Sequence, residues 1–127
     1  MYSHIMVGAN DMDASRAFYD ATLGALGYKP GVMDDKGRCF YYTDKGVFAI
    51  SVPIDGEPAC AGNGSTIGFL AKTPALADAW HAAGLAHGGS SCEDPPGVRR
   101  SAGGDMYLAY LRDPAGNKLC ALHSIRP

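Results

Sequence analysis

No stretch of this chain approaches the ~20 consecutive apolar residues that a helix needs to cross a bilayer, so no membrane partner is expected. The N-terminus, MYSHIMVGAND, has neither the positively charged region nor the apolar region of a secretory leader, which makes the cytoplasm the expected location. An excess of either charge is lacking as well. The formal net charge is −2, the pI is near 6.0, and the basic residues are scattered apart from Arg99-Arg100, so no nucleic-acid partner is expected. The four cysteines, Cys39, Cys60, Cys92 and Cys120, include no C-x-x-C pair. In a reducing compartment they read as small hydrophobes rather than as disulfides or a zinc knuckle. His81, His87 and His123 have no metal-like spacing with one another and read as surface or helix-end positions.

What the chain does have is 46% hydrophobic residues in 127, enough for one domain of ordinary size, and an internal echo. Sliding His4 onto Thr66 also places Ser3 on Ser65, Ile5 on Ile67, Phe18 on Trp80, Ala21 on Ala83 and Leu23 on Leu85. One unit is used twice, over 1–58 and 64–127, with the seam in the loop-like IDGEPACAGNG. Halves of about 60 residues are marginal alone, so the two are expected to share a core, a sheet or a partner chain.

Each half opens on a short strand. In the first, Ile5 and Val7 fall on one face and His4 and Met6 on the other, because successive side chains alternate across a pleat. Asn10 or Asp11 is placed to cap the following helix, whose apolar stripe reads Ala14, Ala17, Phe18, Ala21 and Leu26. Three β-rich runs follow, YKPGVMD, GRCFYYTD and GVFAISVP, separated by Asp-x-Gly turns that predict hairpins. The second half repeats the order: STIGFLA as a strand, a helix opened by Pro74 with Trp80 facing inward, an edge strand and loop over Ser90 to Gly104, and a last hairpin. That hairpin, MYLAYLRD and NKLCALHS, turns at Asp113-Pro114-Ala115-Gly116. The pattern is βαβββ twice.

The segments HIMVGANDMDASRAFYDATLGALGY and YLAYLRDPAGNKLCAL, with their F-Y helix and D-P-x-G-N turn, resemble the vicinal oxygen chelate superfamily. That superfamily comprises glyoxalase I, extradiol dioxygenases and bleomycin- and fosfomycin-resistance proteins. The resemblance implies an α+β fold in which two βαβββ modules curl into an incomplete eight-stranded barrel around a central small-molecule cavity, with a homodimer as the expected assembly. In glyoxalase-like members four side chains hold a divalent metal, and the corresponding slots are His4, Ser51, Thr66 and Cys120.

Only His4 among these is an ordinary ligand. Neutral hydroxyls are weak donors, and although a Cys120 thiolate binds zinc, two good ligands hold a labile ion poorly. A slip of one residue in strand alignment would exchange the faces. The expected function is therefore binding of a small oxygenated molecule without the usual metal and without another cofactor. The alternative is a metal-dependent lyase, isomerase or dioxygenase using zinc, nickel, manganese or iron to polarise ligand oxygens. A third reading keeps the fold with no surviving site. His4 is also the candidate general base, since an imidazole titrates near pH 6.5. Ser51, Thr66 and Cys120 would line the ligand site. Arg99 or Arg100, with Arg99 preferred, would hold a carboxylate or phosphate at its mouth through paired hydrogen bonds. Tyr107 is expected to face the cavity as an aromatic wall, leaving Tyr110 for the core.

Overall fold

The computed structural model describes residues 1–125. β1 (His4–Gly8) leads into α1 (Met12–Ala25), and β2 (Val32–Met33), β3 (Cys39–Thr43) and β4 (Gly46–Ser51) complete the first half. The second half runs β5 (Ile67–Leu70), α2 (Pro74–Ala86), β6 (Ser90–Ser91), β7 (Gly97–Arg99), β8 (Asp105–Arg112) and β9 (Lys118–Ile125). The strands form two sheets, ordered β1-β4-β3-β2 and β5-β9-β8-β6, with β7 also on β8. In each, the first strand runs parallel to the last, His4 opposite Val47 and Ile67 opposite Leu119. The fold is α+β as expected, and the described residues form two helices and nine strands whose sheets do not close into a barrel.

The ninth strand has a chemical cause. The edge strand of the second half breaks after Ser91, which pairs with Leu111, and resumes at Gly97, which pairs with Leu108. Between them lie Pro95 and Pro96, which have no N–H to give to a ladder, and Glu93, whose φ of 58° lies in the left-handed region. Glu93 turns its carboxylate onto the Lys118 ammonium. β2 is shorter than its sequence suggests, because Pro30 precedes it and Gly31 packs so tightly that a Cβ there would lie 2.2 Å from the Cys39 sulfur.

The helices start and stop as their sequences dictate. Asp11 accepts from the Ala14 amide at 3.1 Å, and Thr73 caps α2 on the Leu76 amide at 3.1 Å with Pro74 behind it. α1 ends where Gly27 turns left-handed at φ 97° and the Tyr28 amide returns to the Leu23 carbonyl. Both helices lie on one side of the sheets and pack against each other. α1 contributes Phe18, Tyr19 and Leu23 to the core and α2 contributes Ala77 and Trp80. The sheets meet them with Tyr41, Phe48 and Ile50 from the first and Ala109, Leu111 and Leu119 from the second. Phe18 and Trp80 take the matching inward positions that the repeat predicts. The remaining stripe on α1 is rotated: Ser15, Tyr19, Thr22 and Leu23 are buried, whereas Ala14, Ala17 and Ala21 are not. The larger side chains decide, since an alanine gains little from burial.

Candidate functional site

The free edges of the two sheets, β1 and β5, face each other along a seam, and the ends of that seam differ. At one end the β8–β9 turn is stitched to the first half. Asp113, 4% exposed, accepts the amides of Ala115 and Asn117 on Oδ1 at 2.9 Å each. On Oδ2 it accepts the Tyr19 hydroxyl at 2.5 Å and the Asn117 side-chain amide at 2.8 Å. The Asn117 amide also donates to the Gly8 carbonyl of β1 at 3.0 Å. Burial first, and the Asp113 carboxylate next, push the Tyr19 phenol well above its usual range. The D-P-x-G-N turn is thus a junction between the halves as well as a chain reversal.

At the other end the β3–β4 turn, Asp44-Lys45-Gly46, is shorter and has no asparagine to reach across. Here the seam opens into a cavity of about 320 Å³. Its floor is formed by the buried side chains Leu23, Tyr41 and Phe48 together with Phe69, whose ring meets Phe48 edge-on at 5.2 Å. Exposed Tyr2, His4, Lys45 and Leu70 stand around it. The Tyr41 hydroxyl donates to Asp20 at 2.7 Å, and burial followed by that hydrogen bond raises its pKa far above the ordinary phenol. His4, at the edge of the cavity, holds the Ser3 hydroxyl against Nδ1 at 2.8 Å.

The anticipated metal slots are not brought together. His4 lines the seam cavity, while Ser51 lines a separate one of about 380 Å³ beneath the loop bearing Pro53 and Ala59, its hydroxyl given to the Val52 carbonyl at 2.9 Å. Thr66 is exposed and borders neither cavity. Cys120, 7% exposed, lies against Gly68, and burial followed by the nearby Glu93 charge raises its thiol pKa. A thiol held protonated is a poor ligand. Among the described residues no group of three or more His, Cys, Asp or Glu side chains is arranged to hold a metal ion. This donor set does not fit the divalent metal that the fold implies.

Two further placements depart from the sequence reading. Tyr107 points toward α2, where its hydroxyl donates to Asp78 at 2.7 Å and its ring joins the core. Tyr110 takes the opposite face, beside Cys120 and 5.1 Å from the Lys118 ammonium, so Tyr107 and not Tyr110 packs against the core, and neither tyrosine borders the two cavities. Arg99 shares that face through its pairing with Met106, but its guanidinium is turned back onto the Asp94 and Pro95 carbonyls at 3.0 Å each. Arg100 is paired with Asp105.

His81 is buried, not superficial: Nε2 meets the Ser91 hydroxyl at 3.2 Å, and desolvation lowers its pKa against the Asp78 charge and a hydrogen bond to the Tyr110 main chain. By the repeat it matches Tyr19, yet it stays within its own half. Lys45 and the aromatic floor went unread in the sequence. The available signal was the difference between two matching turns, one ending in Asn and one in Gly.

A model of the Glyoxalase/Bleomycin resistance protein/Dioxygenase superfamily matches residues 2–121. Among solved structures, a glyoxalase/bleomycin resistance protein from Albidiferax ferrireducens T118 is similar at 58% identity, with a TM-score of 0.94 over 97% of this chain and 98% of the other. A glyoxalase/bleomycin resistance protein/dioxygenase family enzyme from Burkholderia phytofirmans PsJN is similar at 16% identity and a TM-score of 0.73, over 97% and 98%. A lactoylglutathione lyase from Agrobacterium tumefaciens is similar at 23% identity and 0.65, over 96% and 93%. The last two show likeness of fold alone. None of the curated proteins matches this chain.

Proposed function

The chain belongs to the Glyoxalase/Bleomycin resistance protein/Dioxygenase superfamily, and on that premise we propose that it binds a small oxygenated molecule at the open end of the seam without using the family's metal. The observation that carries this reading is the cavity itself: a buried aromatic floor with a few polar groups at its edge is the usual make-up of a small-molecule site. His4 is the residue of the anticipated set that borders it. Its imidazole would orient a ligand oxygen or take a proton from it. Arg99, Tyr107 and Cys120 have no part in this site.

The protein is proposed to work in the cytoplasm as a homodimer, with ligand capture as its role. Support for a second copy comes from Met6, Tyr42 and Leu70, which lie 42%, 59% and 62% exposed on sheet faces turned away from the helices.

A ligand screen with small oxygenated metabolites and antibiotics, read by thermal shift and located by amide chemical shifts, tests the reading. The expected hits perturb Gly46, Val47 and Gly68. Titration with zinc, nickel, manganese and iron(II) is its counterpart: one equivalent bound tightly and lost in His4→Ala would replace this reading by a metal-dependent lyase, isomerase or dioxygenase.

A further inference from the structure

The seam cavity has a cation at its rim that no described residue pairs with. Lys45 borders it, and no Asp or Glu is among the residues that line it. The described ion pairs join Arg16 to Asp20, Arg38 to Asp34, Arg100 to Asp105 and Lys118 to Glu93, and Lys45 makes none among the described residues. A cation at the rim of an apolar, aromatic floor, with its counter-charge missing, favours an anion with an apolar body: the body gains by leaving water, and the anion keeps contact with solvent and with the ammonium.

Resting on the binding reading above, we propose that the ligand is a small aromatic carboxylic acid. Its ring sits on Phe48 and Phe69 and its carboxylate lies at Lys45. The size agrees: 320 Å³ is about twice the ~150 Å³ engineered cavity that holds a benzene, which leaves room for a ring with a short side chain. The charge agrees too. One flexible ammonium suits a singly charged carboxylate, whereas a phosphate is ordinarily met by an Arg fork or a cluster of donors. The asymmetry of the repeat sets the two ends of the seam apart. Asp113 and Asn117 fill the matching place at the other end with their own carboxylate and amide.

The test is an amide chemical-shift titration of the full chain with phenylacetate, phenylacetamide and phenyl phosphate, repeated on Lys45→Gln. Lys45 is exposed in a turn, so the variant is expected to fold. Phenylacetate should perturb Gly46, Val47 and Gly68 and bind about fivefold more tightly than the amide, the scale of a solvent-exposed ion pair. Lys45→Gln should bring the acid down to the amide's affinity and leave the amide unchanged. Equal binding of acid and amide at these residues, or a preference that survives Lys45→Gln, overturns the ligand class while the cavity reading stands. Tighter binding of phenyl phosphate overturns the choice of carboxylate. If none of the three perturbs these residues, the ligand class and the binding reading fall together.

Discussion

Tyr19 and Asp113, 94 residues apart in sequence, share a hydrogen bond of 2.5 Å between a fully buried phenol and a carboxylate that is 4% exposed. This bond and the Asn117 amide on the Gly8 carbonyl tie the halves at one end of the seam. Removing the phenolic hydroxyl takes one partner from a buried anion. Tyr19→Phe is therefore expected to lower stability by about 2 kcal/mol, measured by urea unfolding, while conserving the fold.

The same pair predicts an alkaline limit. The Tyr19 pKa is raised in the folded state above the value of about 10 of a free tyrosine, so the unfolded chain releases that proton first. Stability from this group is complete below pH 10 and is lost as pH rises above it. The fall should be measurable in urea midpoints between pH 9 and 11 and shallower in Tyr19→Phe. Tyr41, raised in the same direction, would carry part of the remaining slope.

Two helical glycines should respond oppositely to alanine. A Cβ on Gly84 of α2 would lie 2.3 Å from a Leu111 methyl and 3.1 Å from the Phe18 ring, while one on Gly24 of α1 meets nothing within 4 Å. Gly24→Ala should stabilise by about 0.5–1 kcal/mol through helix propensity. Gly84→Ala should destabilise by about 1–3 kcal/mol, because overpacking outweighs the same propensity gain. Thermal unfolding of both variants checks the signs.

Thr22 buries a hydroxyl that has no hydrogen-bond partner among the described residues. Its replacement by the isosteric valine removes a desolvated polar group and keeps the shape, so Thr22→Val should raise stability by about 1 kcal/mol. A loss of stability in that variant would mean that the hydroxyl is satisfied in solution.

His81 supplies an acid-side counterpart. Desolvation lowers its pKa below the value of about 6.5 of a free histidine, so its stabilising share is present above pH 6.5 and drains as pH falls through the lower folded value. Urea midpoints should therefore fall between pH 7 and 5, and less steeply in His81→Gln. Tyr107→Phe should leave ligand binding at the seam untouched, since its hydroxyl is engaged with Asp78 on α2.

Much of the architecture was legible because it is written in local chemistry. Alternation put Ile5 and Val7 on the opposite face from His4, Asp-x-Gly and Asp-Pro-Ala-Gly marked the reversals, and the echo of Phe18 in Trp80 marked equivalent core positions. None of these needs a distant partner to be recognised. The site was less legible. On β8 both faces carry apolar residues, so period two separates Tyr107 from Tyr110 but does not say which face meets α2. The rotation of α1 was hidden in the same way, since a stripe of alanines competes with one formed by Tyr19 and Leu23.

The sequence by itself determined that one βαβββ pattern recurs and which family the chain belongs to, and the resemblance implies that His4, Ser51, Thr66 and Cys120 stand in the slots of the family's metal donors. Only the tertiary structure decided where a cavity forms. That depends on whether each turn reaches across the seam, and the Asp113–Asn117 turn does so through Tyr19 and Gly8 while the Lys45 turn does not. A contact between residues from opposite halves, set by the way α1 and α2 bring the sheet edges together, has no signature in the neighbours of either residue.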